Sequence, residues 1–306
     1  MARICPRGIR SIEIETPDLR RSADFYTRVW RLTEIATDSQ SIYLRGTSSF
    51  HHIVAIHQST GCAAIRRVVF DVAGPDELHA LHARIAASLD TVDSVQALKW
   101  PGGGLGYGFR DAEERNFALV CAANDHAGDN VPAPDRPHKI AHVNFNTPDA
   151  PACSRFLTDV LGLQLIDQTP RLMFFHGDHT DHNCLVLANA KRPTINHVAF
   201  EMADLDSVMR GAGRMKDNGY PIEWGVGRHG AGDNVFAYFA GPDELPVEYT
   251  SEVLQIDESY VPRGPDFWTF PPGRADQWGV TNPPSARLAR IQDAFEFTAD
   301  GYRTNG

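Results

Sequence analysis

The chain has 306 residues, with 29 Lys plus Arg against 39 Asp plus Glu, a formal charge of −10. With 42% hydrophobic and 22% charged residues it reads as a folded globular protein, and the acidic balance excludes a broad nucleic-acid footprint and a polybasic membrane anchor. No apolar run approaches the ~20 residues of a bilayer span, the N-terminus has no secretory h-region, and five scattered cysteines without a CxxC pair make no disulfide framework, so a reducing, cytoplasmic setting is expected.

In chain order, the first signal is a segment that returns. Ile12-Glu-Ile-Glu-Thr-Pro-Asp-Leu19 resembles Val143-Asn-Phe-Asn-Thr-Pro-Asp-Ala150, with Thr16 falling on Thr147 (147 − 16 = 131). The match runs on through Phe25 and Phe156, Val29 and Val160, Leu32 and Leu163. Val68-Val-Phe-Asp71 falls on Val198-Ala-Phe-Glu201 (198 − 68 = 130), and Phe109 and Glu114 fall on Phe239 and Glu244 at that spacing. Ordered matches at a nearly constant offset identify a duplication. The expected division is a first domain over 1–125, a Gly-, Pro- and Asp-rich linker over 126–137 and a second domain over 138–254.

The second copy shows the elements. A strand over Ile140–Asn146 alternates His142, Asn144 and Asn146 with Val143 and Phe145. Thr147-Pro-Asp turns into a helix over Ala152–Val160, with Pro at a favoured early position and Gly162 as terminator. Strands follow at Leu163–Gln168, Arg171–His176, Asn183–Leu187 and Ile195–Met202. A helix over Leu205–Asn218 closes at Gly219; then come a strand at Ile222–Trp224, a loop, and strands at Val235–Ala240 and Val247–Tyr249. Two βαβββ modules per copy predict an α+β fold, antiparallel-rich with helices on one face. Beyond Glu252 the pattern stops. Residues 255–306 carry Pro262, Pro265, Pro271, Pro272, Pro283 and Pro284 with Phe267, Trp268, Phe270 and Trp278, a tail expected to wrap over the domains near the site.

The duplication also serves as a control within one sequence. His142 corresponds to Ser11 (142 − 131), His197 to Arg67 (197 − 130) and Glu248 to Ala118 (248 − 130). The sister copy folds without these three, so packing does not demand them. A lone strand histidine is more often a hydrogen-bonded core residue than a ligand. Two imidazoles and a carboxylate at matched strand positions instead form the facial triad of a non-haem Fe(II) centre.

The segments Ile140-Ala-His142-Val-Asn144, Asn196-His197-Val-Ala-Phe200 and Tyr238-Phe-Ala-Gly-Pro242-Asp-Glu-Leu-Pro-Val-Glu248-Tyr carry a resemblance. The chain resembles the vicinal oxygen chelate superfamily and, within it, the two-domain type I extradiol catechol dioxygenases. The family signature from a His through a Tyr and a Pro to the ligand Glu falls on His229, Tyr238, Pro242 and Glu248, with departures at Ala237, Gly241 and Glu244. The resemblance implies that His142, His197 and Glu248 bind Fe(II), with Mn(II) as the alternative, and that O₂ is co-substrate for meta-cleavage of a small catecholic substrate. It implies acid/base work by His182, in Asp181-His182-Asn183, and hydrogen bonds to substrate oxygens from Tyr238 and His229. Asn144, two residues past a ligand on the same strand face, is expected to support the site. A homo-oligomer is the family expectation.

Other functions of the same fold stay open: a glyoxalase-like lyase or epimerase, whose ligands often come from both halves, and a non-catalytic ligand-binding member. The Gly-rich run Pro101–Gly108 has neither the Lys-Ser/Thr nor the GxGxxG spacing of a phosphate cradle and reads as a loop shared with Gly230-Ala-Gly-Asp. No GxSxG or HExxH motif supports a hydrolase or zincin.

Overall fold

The repeated Thr-Pro-Asp segments end the first strand of each half in the same way. Strand β1 (Gly8–Thr16) leads into α1 (Leu19–Asp24), and β9 (Ile140–Thr147) into α3 (Ala150–Arg155). The Thr16 and Thr147 hydroxyls accept the backbone N–H of Asp18 and Asp149, and those carboxylates cap the helices by accepting from Arg21 N and Ala152 N. The repeated prolines therefore precede the cap rather than opening the helix, where they were expected. Each helix then widens into a π turn, Phe25–Val29 and Phe156–Val160.

In this computed structural model, residues 3–127, 130–268 and 271–304 are described; Phe270 and two residues of the linker lie outside them. The first half continues with β2 (Thr33–Thr37), β3 (Ser41–Arg45), β4 (Val54–Gln58), β5 (Ala64–Asp71), α2 (Pro75–Ala86), β6 (Gln96–Ala97), β7 (Leu105–Arg110) and β8 (Asn116–Cys121). The second continues with β10 (Gln164–Gln168), β11 (Leu172–His176), β12 (Leu185–Asn189), β13 (Ile195–Glu201), α4 (Leu205–Asp217), β14 (Trp224–Arg228), β15 (Val235–Ala240) and β16 (Pro246–Ser251). The expected strand at Ile222–Trp224 thus begins at Trp224 and occupies part of the expected loop.

Each half is one mixed sheet of eight strands, ordered β2-β3-β4-β1-β5-β8-β7-β6 and β10-β11-β12-β9-β13-β16-β15-β14. Within each sheet two βαβββ modules meet along one antiparallel pair, β1–β5 or β9–β13. The α+β duplication expected from sequence is the observed architecture. Its registers repeat as well. Ser11 faces Val69, which faces Ala118; His142 faces Ala199, which faces Glu248.

One apolar core runs through both halves. At its centre Trp30, fully buried, stacks on Tyr249 at 3.7 Å and meets the edges of Phe200 and Phe239. Reciprocal polar contacts flank it: Thr16 donates to Asp243 at 2.7 Å and Thr147 to Glu113 at 2.5 Å. The Thr-Pro-Asp turn therefore both caps its own helix and clasps the opposite half.

The tail does wrap. Its short helix α5 (Ala286–Ile291) buries Leu288 and Ile291 against Phe236, Tyr238 and Ala240. Phe295 and Phe297 then form bridges to Ile195 of β13 and Ile65 of β5, so the tail passes from one sheet to the other. No helix among the described residues is long and apolar enough to cross a membrane.

Trp30→Ala removes the largest side chain between the halves. Truncating a buried Trp costs ~3–5 kcal/mol, so the urea unfolding midpoint is expected to fall by a corresponding amount.

Candidate metal centre

The three strands at the middle of the second sheet bring His142 (β9), His197 (β13) and Glu248 (β16) together. Their ligand atoms all lie within 4.8 Å of one another. The His142 and His197 Nε2 atoms are 3.1 Å apart, and they lie 3.5 and 3.1 Å from Glu248 Oε2. Ligands about 2.1 Å from a first-row ion are separated by roughly 3.0–3.4 Å, so these edges fit a metal on three neighbouring positions. Glu248 Oε2 is buried without a hydrogen-bond partner, and two imidazole nitrogens face each other across it. Such an arrangement calls for a cation between them.

The local backbone explains how both histidines point inward. The β9–β13 register slips between Ile195 and His197, which leaves Asn196 as a bulged residue. A bulge re-aims its side chains, and Asn196 Oδ1 comes within 2.9 Å of His197 Nδ1, fixing the ring with Nε2 toward the centre. Gln292 of the tail donates to the same Asn196 oxygen at 2.9 Å. Asn234 donates to Thr250 and, at 3.4 Å, to the other Glu248 oxygen. Sequence reasoning did not find Asn196, Asn234 or Gln292; the Asn beside a ligand His was the available signal for the first, and only the fold brings the other two close.

Electrostatics follow the geometry. Burial pushes the Glu248 carboxyl up, but the His142 and His197 imidazoles beside it outweigh this and hold the group well below the usual carboxylate range. Burial lowers His197 against the opposing pull of Glu248. His229 is pushed down to about 4, chiefly by burial, with Glu248 acting in the opposite direction. Tyr238 is raised well above its ordinary value by burial and by Glu248.

A cavity of about 480 Å³ opens beside the triad, lined by His142, Asn144, Asn183, His197, His229 and Tyr238 among others. His229 Nε2 and the Tyr238 hydroxyl are 3.0 Å apart, and Asn144 turns a buried, unpartnered Oδ1 into the polar wall. Phe174, Trp224 and Trp268 make the remainder aromatic, while Ala275, Asp276, Pro284 and Gln292 bring the tail to its mouth.

His182 is the exception. Its side chain has no exposure and is not on the cavity wall. Its Nε2 lies 2.9 Å from Asp167 Oδ2 and its Nδ1 3.0 Å from Asn183 Oδ1. The expected acid/base position on the wall is instead filled by Asn183, whose Nδ2 is buried with no partner. The cause is local: β12 starts only at Leu185, and the irregular backbone before it is pinned by His182 N donating to Leu254 O. Asp167 also accepts from the Tyr260 hydroxyl and Arg263 N, so the tail anchors this relay.

Residues 139–249 match the model of the Glyoxalase/Bleomycin resistance protein/Dioxygenase superfamily. Over 130 residues the chain is 33% identical to metapyrocatechase 2 of Cupriavidus necator, covering 42% of this chain and 39% of that protein. The chain thus matches about two fifths of that relative's length. Among solved structures, a Mn(II)-bound glyoxalase from Novosphingobium aromaticivorans is 27% identical with a TM-score of 0.84, covering 93% of this chain and 94% of that one. Homoprotocatechuate 2,3-dioxygenase of Brevibacterium fuscum shares the fold at 19% identity, TM-score 0.81, over 99% of this chain and 97% of that one. The matched residues, 139–249, lie in the second half and include all three residues of the triad.

Proposed function

We infer that the protein is a metal-dependent extradiol dioxygenase, which opens a catecholic ring beside its two hydroxyls and incorporates both atoms of O₂. The observation that carries this reading is the convergence of His142, His197 and Glu248 beside an aromatic-walled cavity. The likeness to metapyrocatechase 2 supports it. The ligand set suits Fe(II), with Mn(II) as the alternative given the Mn(II)-bound structural relative. The bound metal would acidify the catechol hydroxyls and hold catechol and O₂ side by side.

The chain's own groups have distinct tasks. His142, His197 and Glu248 would hold the metal, with the cavity beside them open to reactants. Phe174, Trp224 and Trp268 pack on the ring and exclude water. The Tyr238 hydroxyl and His229 Nε2, in hydrogen-bond contact, form a couple that orients a substrate oxygen and passes a proton to or from it. Asn183 donates from Nδ2 to an oxygen of the bound reactants. An amide does not titrate, so this position stabilises negative charge without transferring a proton. His182 works through Asn183 by holding its oxygen, which keeps Nδ2 turned to the cavity.

A second reading is a metal-dependent lyase acting on a hemithioacetal. It is favoured by the glyoxalase among the structural relatives and by the amide at position 183.

Anaerobic loading with Fe(II), followed by a catechol panel and O₂, is expected to yield a yellow ring-opened semialdehyde seen by visible absorbance. Iron bound without colour from any catechol, together with turnover of a methylglyoxal–glutathione hemithioacetal, would move the assignment to the lyase. His197→Ala is expected to abolish metal binding measured by elemental analysis, whereas Arg67→Ala leaves it intact. Loss of metal in the Arg67 variant would contradict the assignment of the site to one half. Asn183→Leu should keep the metal and lower kcat by ~10²-fold, the effect of removing one preorganised donor; an unchanged kcat would remove Asn183 from the mechanism.

A further inference from the structure

The positions that form the metal centre in the second half have a different chemistry in the first. Glu13 faces Arg67 across β1–β5 as Asn144 faces His197 across β9–β13. The bulge recurs: the register slips after Glu13 and leaves Arg66 as the extra residue, the counterpart of Asn196. Both arginines therefore turn to the same face of the sheet. A cavity of about 360 Å³ lies there, with Tyr43, His57, Lys99, Trp100, Arg303 and Thr304 also on its wall.

Its net charge is positive. Arg66, Arg67 and Arg303 line it with the carboxylate of Glu13, and Glu15 pairs with Arg66 from beside it. Arg67 is 2% exposed. Its Nε is 3.0 Å from Glu13 Oε2, its Nη1 donates to Arg303 O at 2.9 Å, and its guanidinium lies over the Trp100 ring at 5.1 Å. His57 Nε2 reaches the same Glu13 oxygen at 3.1 Å, and Arg66 Nη1 reaches Glu15 at 3.3 Å. The Nε–H groups of Arg66 and Arg67 are both buried without a well-directed hydrogen bond. Burial raises the Glu13 carboxyl, yet Arg67, His57 and Arg66 hold it down to about 2, so it is fully ionised and already committed. Three guanidinium groups against the committed carboxylates of Glu13 and Glu15 leave an excess of positive charge inside low-dielectric walls, where an anion is held far more strongly than in water.

We propose that this cavity of the first half is a second ligand site, for a small aromatic carboxylate. The planar guanidinium groups match a carboxylate in shape and charge. Tyr43 and Trp100 supply aromatic wall, and the volume accommodates a single substituted ring. With Ser11, Arg67 and Ala118 where the second half has its triad, the site holds no metal-ligand set.

Calorimetric titration of the metal-loaded protein with benzoate tests this, with benzamide as the neutral isostere and inorganic phosphate as the non-aromatic anion. One saturable, salt-sensitive benzoate site is expected, with no benzamide binding there. Glu13→Gln/Arg67→Met should weaken benzoate by about ten-fold or more, the scale of a lost charge-assisted hydrogen bond, and His197→Ala should leave it unchanged. If that double variant fails to fold by circular dichroism, Arg66→Gln/Arg303→Gln at the more exposed part of the wall is expected to give the same loss. Absence of saturable binding, or binding that survives these substitutions and disappears with His197→Ala, would overturn the proposal. Phosphate displacing benzoate at equal concentration would overturn its aromatic part.

Discussion

Glu248 holds a carboxylate with no solvent exposure in the centre of a sheet, and the arrangement of the second half follows from compensating that charge. An unpaired buried carboxylate costs several kcal/mol. The compensation comes from two imidazoles on successive neighbouring strands, so the order β9-β13-β16 and its register are fixed together. A slip of one residue in either pairing would turn a ligand to the opposite face. The β9–β13 ladder departs from regularity at the Asn196 bulge and again between Ala199 and Phe200, and the first departure aims His197.

The halves are joined by contacts that repeat across the pair. Thr16 reaches Asp243 and Thr147 reaches Glu113, positions separated by the repeat spacing (243 − 113 = 130). The apolar centre does not repeat: Trp30 stacks on Tyr249, whereas the matching residue Leu161 is aliphatic. A shared core with reciprocal polar clasps lets one half diverge in its cavity while both retain the same sheet. The tail, which lines the metal cavity at Trp268 and Gln292 and the first-half cavity at Arg303 and Thr304, is common to both sites.

Most of this architecture was legible because a duplication is self-calibrating. The repeat offsets, 131 at the first strand and 130 beyond it, predicted which first-half residues stand at the ligand positions, and the strand registers give the same correspondence independently. Legibility failed at two kinds of place. At His182 the sequence lies outside regular strand, where alternation has no force, and the cavity wall went to the neighbouring Asn183. The network of Gln292, Asn234 and Asp167 depends on side chains that meet only after the tail has crossed the sheets, and no local pattern marks such contacts. The proline before the first helix was misread for a simpler reason: Asp18 and Asp149 have side-chain oxygens to offer as the cap, and proline does not.

The contrast between the two cavities bears on what the first half is for. A half relieved of metal ligands has an obvious way to close its cup: apolar side chains of similar volume, which are often as stable as or more stable than a buried ion pair. Ala118 follows that course where Glu248 stands in the second half. Glu13 and Arg67 do the opposite. They place two charges, both at least 97% buried, at the matching positions of Asn144 and His197 and keep a cavity open beside them. Fold stability does not account for that choice, because the sister half builds the same sheet without it. Recognition of a charged ligand does, since desolvated guanidinium groups held in place before binding contribute most to affinity when the anion arrives.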